Sequence, residues 1–380
     1  MRYKRWCCGI LILLLAVFGV IAAMNYFVDP LGYFTFQSGD YADIDFQADT
    51  SYYQRLLKLN HAENFSENYD AYLIGGSKAG SYQPEKLTEL DGYRYYNMFE
   101  LSGNLQEYAM VTDFLIEHAN PKKIIISISG GEVRKEGLNF TDPVYQYPAK
   151  LTGDSVMKET LKFLFMDPNK TFKRIRERLT GKTYYEMENT GARNLVKSYT
   201  AFSEDPEEFT QKQVLKSFDK HMKTLFTKNK KLDYYQTTLD SLQQIKDSCD
   251  AVGVELMVIV APAFIGEMSE HDSTYYWKYL ENMATITDYW DFSGYHDIDL
   301  NPYNYYNEGH FYYEVAELIV DTITGKDSYP GFGAYVTRYN VAEHIDERAA
   351  DYQKLKEEYN TTGTITLFGM EDASYLPKSR

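Results

Sequence analysis

Apolar residues along the chain fall into one long run and several short ones. The long run is uncharged from Trp6 to Val28 and follows Arg2, Lys4 and Arg5. Its 23 residues are enough to cross a hydrocarbon core of about 30 Å. Residues 1–28 are therefore read as a cytoplasmic flank and a membrane anchor, with the basic end inside and the rest of the chain outside. A cleaved signal peptide is the rival reading, because Val20-Ile21-Ala22 is a passable cleavage site. The run is longer than a typical signal-peptide core, which favours an uncleaved anchor.

Beyond the anchor, short apolar runs stopped by Gly or Pro alternate with stretches of helical period. Asp70 to Ile74 ends in Gly75-Gly76, Tyr93 to Asn97 is a weaker run, and Lys122 to Ser129 (KKIIISIS) ends in Gly130-Gly131. Val254 to Val260 ends at Pro262, and Ile286 to Phe292 is a fifth run. All five read as strands. Leu105 to His118, Tyr234 to Ala251, Ser273 to Ala284 and Phe311 to Ile323 read as helices, two of them closed by Gly253 and Gly325. Strands separated by helices predict an α/β fold with a parallel sheet of about five strands, covered on both faces. In such sheets ligands bind at the carboxyl ends of the strands.

One interval breaks the alternation. Residues 133–232 are mainly helical and polar, and they carry 20 Lys+Arg against 13 Asp+Glu, a net of +7. They read as an insertion within an extracytoplasmic domain spanning 29–330, followed by a tail, 331–380, that packs on the domain or a partner and holds a charged helix from Val341 to Tyr359. The formal charge of −16 thus divides into +3 at the N-terminus, +7 in the insertion and −26 elsewhere. Clusters at Lys170, Lys173, Arg174, Arg176 and Arg178, and at Lys228, Lys230 and Lys231, would suit anionic lipid or an anionic wall polymer. A solvated helix face is the plainer reading.

Composition removes several classes. With 44% apolar residues the chain can bury a core. Three Cys cannot build a disulfide scaffold, and Cys249 falls on an apolar helical stripe with Leu239, Leu242 and Ile245, as a buried thiol would. Cys7 and Cys8 sit at the cytoplasmic boundary, as apolar filler or as palmitoylation sites. The acidic balance argues against a nucleic-acid partner. No His pair has metal-ligand spacing, so neither metal nor cofactor is expected. The 36 Tyr offer stacking faces for a glycan, although most should simply pack.

Two places carry residues for covalent chemistry. Ser77 lies in Gly75-Gly76-Ser77-Lys78-Ala79-Gly80, directly after the first strand. A Ser on a sharp turn there is presented at the carboxyl edge, where glycines let backbone N–H groups approach an oxyanion. The sequence is not a phosphate-binding Gly-Lys-Ser/Thr loop, and Ala79 breaks the hydrolase elbow. His310, in Asn307-Glu308-Gly309-His310 before the last helix, has the chemistry of a general base. Each feature alone is also compatible with an ordinary turn or helix start.

Together these residues resemble the SGNH/GDSL hydrolase superfamily, in particular its membrane-anchored members in bacterial cell envelopes that serve teichoic-acid D-alanylation and alginate O-acetylation. The resemblance is carried by Val28-Asp29-Pro30, Ile74-Gly75-Gly76-Ser77, Pro84, Asn97, Gly103, Lys123-Ile124-Ile125-Ile126, Pro262, Asp291-Phe292-Ser293 and His310-Phe311. It implies a three-layer sandwich in flavodoxin-like order, with Ser77 as nucleophile, His310 as base, and N–H groups of Ser77 and Gly103 as oxyanion donors. The family's acid lies three residues before the His, and here that residue is Asn307. Its carbonyl can orient an imidazole but cannot offset imidazolium charge. Glu308, Asp297 and Asp299 are the alternative acids. The family's Gly-x-Asn-Asp block is also missing, and Ser129-Gly130-Gly131 stands in its place, which offers the Gly130 or Gly131 amide as the third donor.

The resemblance implies acyl transfer: an acetyl or D-alanyl group passed from a membrane O-acyltransferase partner, through Ser77, to a cell-envelope polysaccharide or teichoic acid. An acyl esterase using the same Ser and His is one alternative. A non-catalytic envelope scaffold is the other, which the missing Asp brings into play.

Overall fold

A computed structural model describes residues 2–34, 53–133, 137, 146–181, 187–221, 225–226, 235–269, 275–327 and 329–369. Contacts divide the chain into two units. Met1–Phe65 and Asn139–Asn189 form an anchor unit, and Ser66–Leu138 with Thr190–Arg380 form a sheet unit. This boundary differs from the expected 133–232 insertion. Asn139–Asn189 belongs with the anchor, whereas the chain from Thr190 belongs with the sheet. The reason is an apolar stripe, Leu195, Tyr199 and Phe202, which is buried against Tyr303, Tyr306, Tyr312 and Tyr313. Lys228, Lys230 and Lys231 lie outside the described residues, as do residues 370–380.

The sheet unit is α/β, with a six-stranded, mostly parallel sheet. Its strands are β1 (Ala71–Gly75), β2 (Tyr95–Phe99), β3 (Lys123–Ile128), β4 (Glu255–Val260), β5 (Tyr289–Asp291) and β8 (Ala334–Val336). A separate hairpin joins β6 (Tyr305–Asn307) to β7 (His310–Phe311). The order across the sheet is β2-β1-β3-β4-β5-β8, and only β8 runs antiparallel. Every residue of β1, β2 and β3 is buried, as a run such as KIIISI requires of a central parallel strand. The helices Leu105–Ala119, Tyr235–Val252 and Tyr276–Ile286 pack successively side by side. The first is opened by a capping box in which Asn104 and Glu107 exchange side-chain and backbone bonds. Cys249 is buried on the second, as its stripe predicted.

The expected fifth strand, 286–292, shrinks to Tyr289–Asp291 because the preceding helix runs on to Ile286. The tail contributes more than a cover. β8 extends the sheet, and helix Val341–Thr362 is tied to the end of β5, where Asp291 Oδ2 accepts from Arg348 Nη1 at 2.6 Å and lies 2.8 Å from His344 Nε2.

In the anchor unit, helix Arg2–Val28 contains an apolar stretch, Tyr3–Val28, long enough to cross a membrane. It packs on helices Val156–Leu164 and Pro168–Thr180.

Candidate active site

The carboxyl ends of β1, β2 and β3 are level, since Gly75 pairs with Phe99 on one side and Ser127 on the other. Just past that edge the chain from β1 turns sharply. A Cβ on Gly76 would lie 1.9 Å from Glu132 Oε1, so any larger residue there requires the Glu132 side chain to move. Ser77 then opens a single 3-10 turn, Ser77–Ser81. Two neighbours brace this turn. Asn97 on β2 donates through Nδ2 to the Ala79 and Tyr82 carbonyls, both at 2.8 Å. Ser81 Oγ donates to the Phe311 carbonyl at 2.6 Å, which fastens the turn to β7.

That last bond brings in His310. The expectation of a His at a helix N-terminus is corrected here: His310 lies on β7, and the helix begins only at Tyr313. Across the hairpin, Asn307 pairs with His310. Asn307 Oδ1 accepts from the Gly309 N–H at 3.0 Å and lies 2.8 Å from His310 Nδ1. His310 Nε2 lies 2.6 Å from Ser77 Oγ. The Gly309 amide settles which end of the Asn307 side chain faces the ring, so Nδ1 carries the proton and Nε2 presents a lone pair to the Ser77 hydroxyl.

The alternative acids are placed elsewhere. Glu308 lies against Gly266, with Oε1 3.0 Å from where a Cβ on that glycine would be. Asp297 Oδ2 accepts from Tyr329, and Asp299 is buried 2.9 Å from His296 Nδ1. Gly103 and Gly130 follow β2 and β3 at the same edge as Ser77. Gly103 is packed against the Tyr108 ring, where a Cβ would come within 2.7 Å, and Gly130 opens the turn Gly130–Val133. In that turn Glu132 Oε2 accepts from the Ser129 N–H at 2.8 Å and from the Ser129 hydroxyl.

Two cations complete the surroundings. Lys78 Nζ donates to Glu267 Oε2 at 2.8 Å and lies 3.4 Å from Ser129 Oγ. Arg193 donates to the Tyr306 hydroxyl at 2.8 Å, and its guanidinium covers the Phe99 ring at 5.2 Å. The Tyr306 ring stacks on the His310 ring, 5.6 Å away and 22° from parallel. Burial, then the Arg193 and Lys78 charges, hold the His310 imidazolium well below the usual range, at about 3, against the opposing pull of Glu267. Neither Arg193 nor the Glu267 bond to Lys78 has a signal in the local sequence, because both arrive from distant segments.

No family model matches this chain, and no curated protein matches it either. What the site can do therefore rests on its geometry. A hydroxyl, a correctly tautomerised neutral imidazole and an orienting amide form a relay for nucleophilic acyl chemistry. Among the described residues, no three or more His, Cys, Asp or Glu side chains cluster as a metal site would need.

Proposed function

We propose that this chain is an SGNH-like serine acyltransferase of a bacterial cell envelope, held in the membrane by helix Arg2–Val28 with its sheet unit outside. The observation that carries the reading is the Ser77 Oγ to His310 Nε2 contact of 2.6 Å with Asn307 behind it. The strand order β2-β1-β3-β4-β5 supports it, being the flavodoxin-like winding with ligands at the carboxyl edge. The basic flank of Arg2, Lys4 and Arg5 favours the orientation.

In this mechanism Ser77 Oγ attacks the carbonyl of an incoming acyl group while its proton moves to His310 Nε2. The tetrahedral oxyanion is met by backbone N–H groups of Ser77, Gly103 and Gly130. His310 returns the proton to the departing oxygen, which leaves an acyl ester on Ser77. An acceptor hydroxyl, deprotonated by the same Nε2, then takes the acyl group and frees the serine. The donor would be a membrane O-acyltransferase carrying acetyl or D-alanyl groups, and the acceptor a glycan or teichoic acid of the envelope.

Labelling the full chain with a fluorophosphonate tests the reading. Labelling that disappears in Ser77→Ala supports it. Absence of labelling, together with a Ser77→Ala chain that still restores the envelope phenotype, would leave a scaffold. Rapid acid release from a p-nitrophenyl ester with no acceptor present, unaffected by added acceptor, would make the chain an esterase.

A further inference from the structure

The anchor unit has a surface that acyl chemistry does not use. Helices Val156–Leu164 and Pro168–Thr180 form a two-helix segment that is joined through Phe165 and packs on the anchor helix. Its inner side is well packed. Phe163 stacks on Tyr33 with ring centres 4.0 Å apart, and Thr171 and Arg174 are buried. Asn25 of the anchor helix donates through Nδ2 to the Leu164 and Met166 carbonyls at 2.9 and 3.0 Å, and its Oδ1 accepts from the Thr171 hydroxyl. The outer side is apolar. Met157, Leu161 and Phe165 follow one another at a spacing of four, and Phe172 and Leu179 at a spacing of seven, so each set shares one helical face. Met157 is 69% exposed, Phe172 55% and Leu179 82%. Exposed Lys158, Lys173 and Arg178 flank these stripes, and exposed Arg176 lies on the second one, between Phe172 and Leu179.

A helix with its large apolar residues outward and basic residues beside them has the composition of one lying in a membrane interface. The anchor indicates what covers this face. The Phe165 ring meets the Phe18 ring edge-on at 5.9 Å. Phe18 lies ten residues before the helix end at Val28, about 15 Å along the axis. The Phe165 ring therefore reaches the lipid-facing part of the spanning helix while the backbone beside it is held at Asn25, and the outward face there meets acyl chains.

We propose that helices Val156–Leu164 and Pro168–Thr180 form a membrane-embedded collar around the exit of the anchor. Their apolar stripes enter the leaflet on the Val28 side, and Lys158, Lys173, Arg176 and Arg178 meet anionic headgroups. The collar rests on the reading that Tyr3–Val28 spans the bilayer, and it does not depend on the chemistry at Ser77. It fixes the anchor unit at the bilayer surface where a freely hinged stalk would leave it mobile.

The test uses the full chain with its three cysteines changed to serine, one copy per nanodisc of phosphatidylcholine containing phosphatidylglycerol. Spin labels are placed singly through Met157→Cys, Leu179→Cys, Leu14→Cys in the anchor and Val252→Cys in the sheet unit. Collisions with oxygen, which partitions into lipid, are compared with those of a water-soluble nickel chelate. Oxygen should dominate at 157, 179 and 14, and nickel at 252. Nickel dominance at 157 and 179 with oxygen dominance at 14 overturns the collar and leaves the anchor standing. Nickel dominance at 14 overturns the spanning reading as well. Low collision rates with both reagents at 157 and 179 mean that protein covers the face, which also overturns the proposal. Replacing the phosphatidylglycerol by neutral lipid should raise nickel collisions at 179 at least twofold, and no change would remove the headgroup contact from the proposal.

Discussion

Asn307 Oδ1 is shared between the Gly309 N–H and His310 Nδ1, so the backbone fixes the amide in the one orientation that leaves Nε2 free to accept from Ser77. An asparagine at this position therefore sets the tautomer without supplying a charge. In serine proteases an Asp-to-Asn replacement costs about 10⁴ in turnover because the tautomer is wrong, and that penalty does not apply here. Asn307→Asp should then be a gain-of-rate variant, faster in fluorophosphonate labelling by about tenfold or more, since a carboxylate would stabilise the imidazolium. Asn307→Leu should label at least about tenfold more slowly, because nothing then orients the ring. An Asn307→Asp chain that labels more slowly than wild type would contradict the arrangement.

The pH dependence of labelling follows from the depressed His310. An imidazole of ordinary pKa loses its basic form as pH falls through about 6.5. Burial and the Arg193 and Lys78 charges hold His310 down to about 3, so Ser77 should label at a nearly constant rate from pH 8 to pH 5. Arg193→Met removes one of those cations and should move the acid limb upward. Rates measured every half unit check both statements, and a limb centred near 6.5 in the wild type would contradict the first.

The turn that presents Ser77 depends on close packing from outside it. Gly76→Ala would drive a Cβ into Glu132 Oε1, 1.9 Å away, and should lower stability by about 1–3 kcal/mol, in the range of overpacked sites. Shortening the intruder in a Gly76→Ala, Glu132→Ala double variant should recover part of that loss, because the two changes are in contact and will not add. Urea unfolding of the four chains closes the cycle. Strict additivity would mean that the glycine is required by something other than Glu132.

These packing constraints also decide how much of the molecule could be read from sequence. The Ile-rich β3 and the periodic helix Leu105–Ala119 are legible because burial on both faces, or on one, writes a local pattern. Ser77, His310 and Asn307 were legible as residue types in suitable settings. Their contact was not, since it depends on Ser81 tying the turn to Phe311, 230 positions away. Arg193 carried no signal, because an arginine within a polar stretch looks like a solvated one. β8 was missed for a related reason: three residues on an edge strand show no alternation, and only pairing with β5 defines them. His310 was expected at a helix N-terminus because nothing local marks β7, whose place is set by the two-residue turn at Glu308-Gly309.

The tail helix should prove necessary to the sheet unit. Asp291 at the end of β5 is fully buried beside Arg348, His344 and Ser293. Asp291→Ala would leave the Arg348 guanidinium buried without its carboxylate, a change that costs about 3–5 kcal/mol in buried pairs. Asp291→Ala and Arg348→Met together should be less damaging than Asp291→Ala alone. Thermal melts of wild type and the two variants check this, and an Asp291→Ala chain as stable as wild type would show that the pair contributes nothing.

Stability in acid should decline in two separate windows. His310 and His61 are both held near 3, each chiefly by burial, with neighbouring cations adding to it. An unfolded chain protonates both rings as pH falls through about 6.5, while the folded chain does not until about 3. The unfolded state thus binds more protons between those values, and stability must fall as pH drops. Asp291 acts in a later window. Burial alone would raise its pKa, but Arg348 and His344 overcome this and hold it at about 2, so its contribution is lost only below the ordinary aspartate value of about 3.9. His296 has the opposite sign. Burial depresses it, Asp299 raises it further, and the net elevation makes its contribution complete in acid and lost above its ordinary range. Melting temperatures should therefore fall measurably from pH 6.5 to 5, above the window in which Asp291 is lost, and His61→Asn should make that first slope shallower. A melting temperature that is flat to pH 4.5 would mean that the two rings are not held neutral in the folded chain.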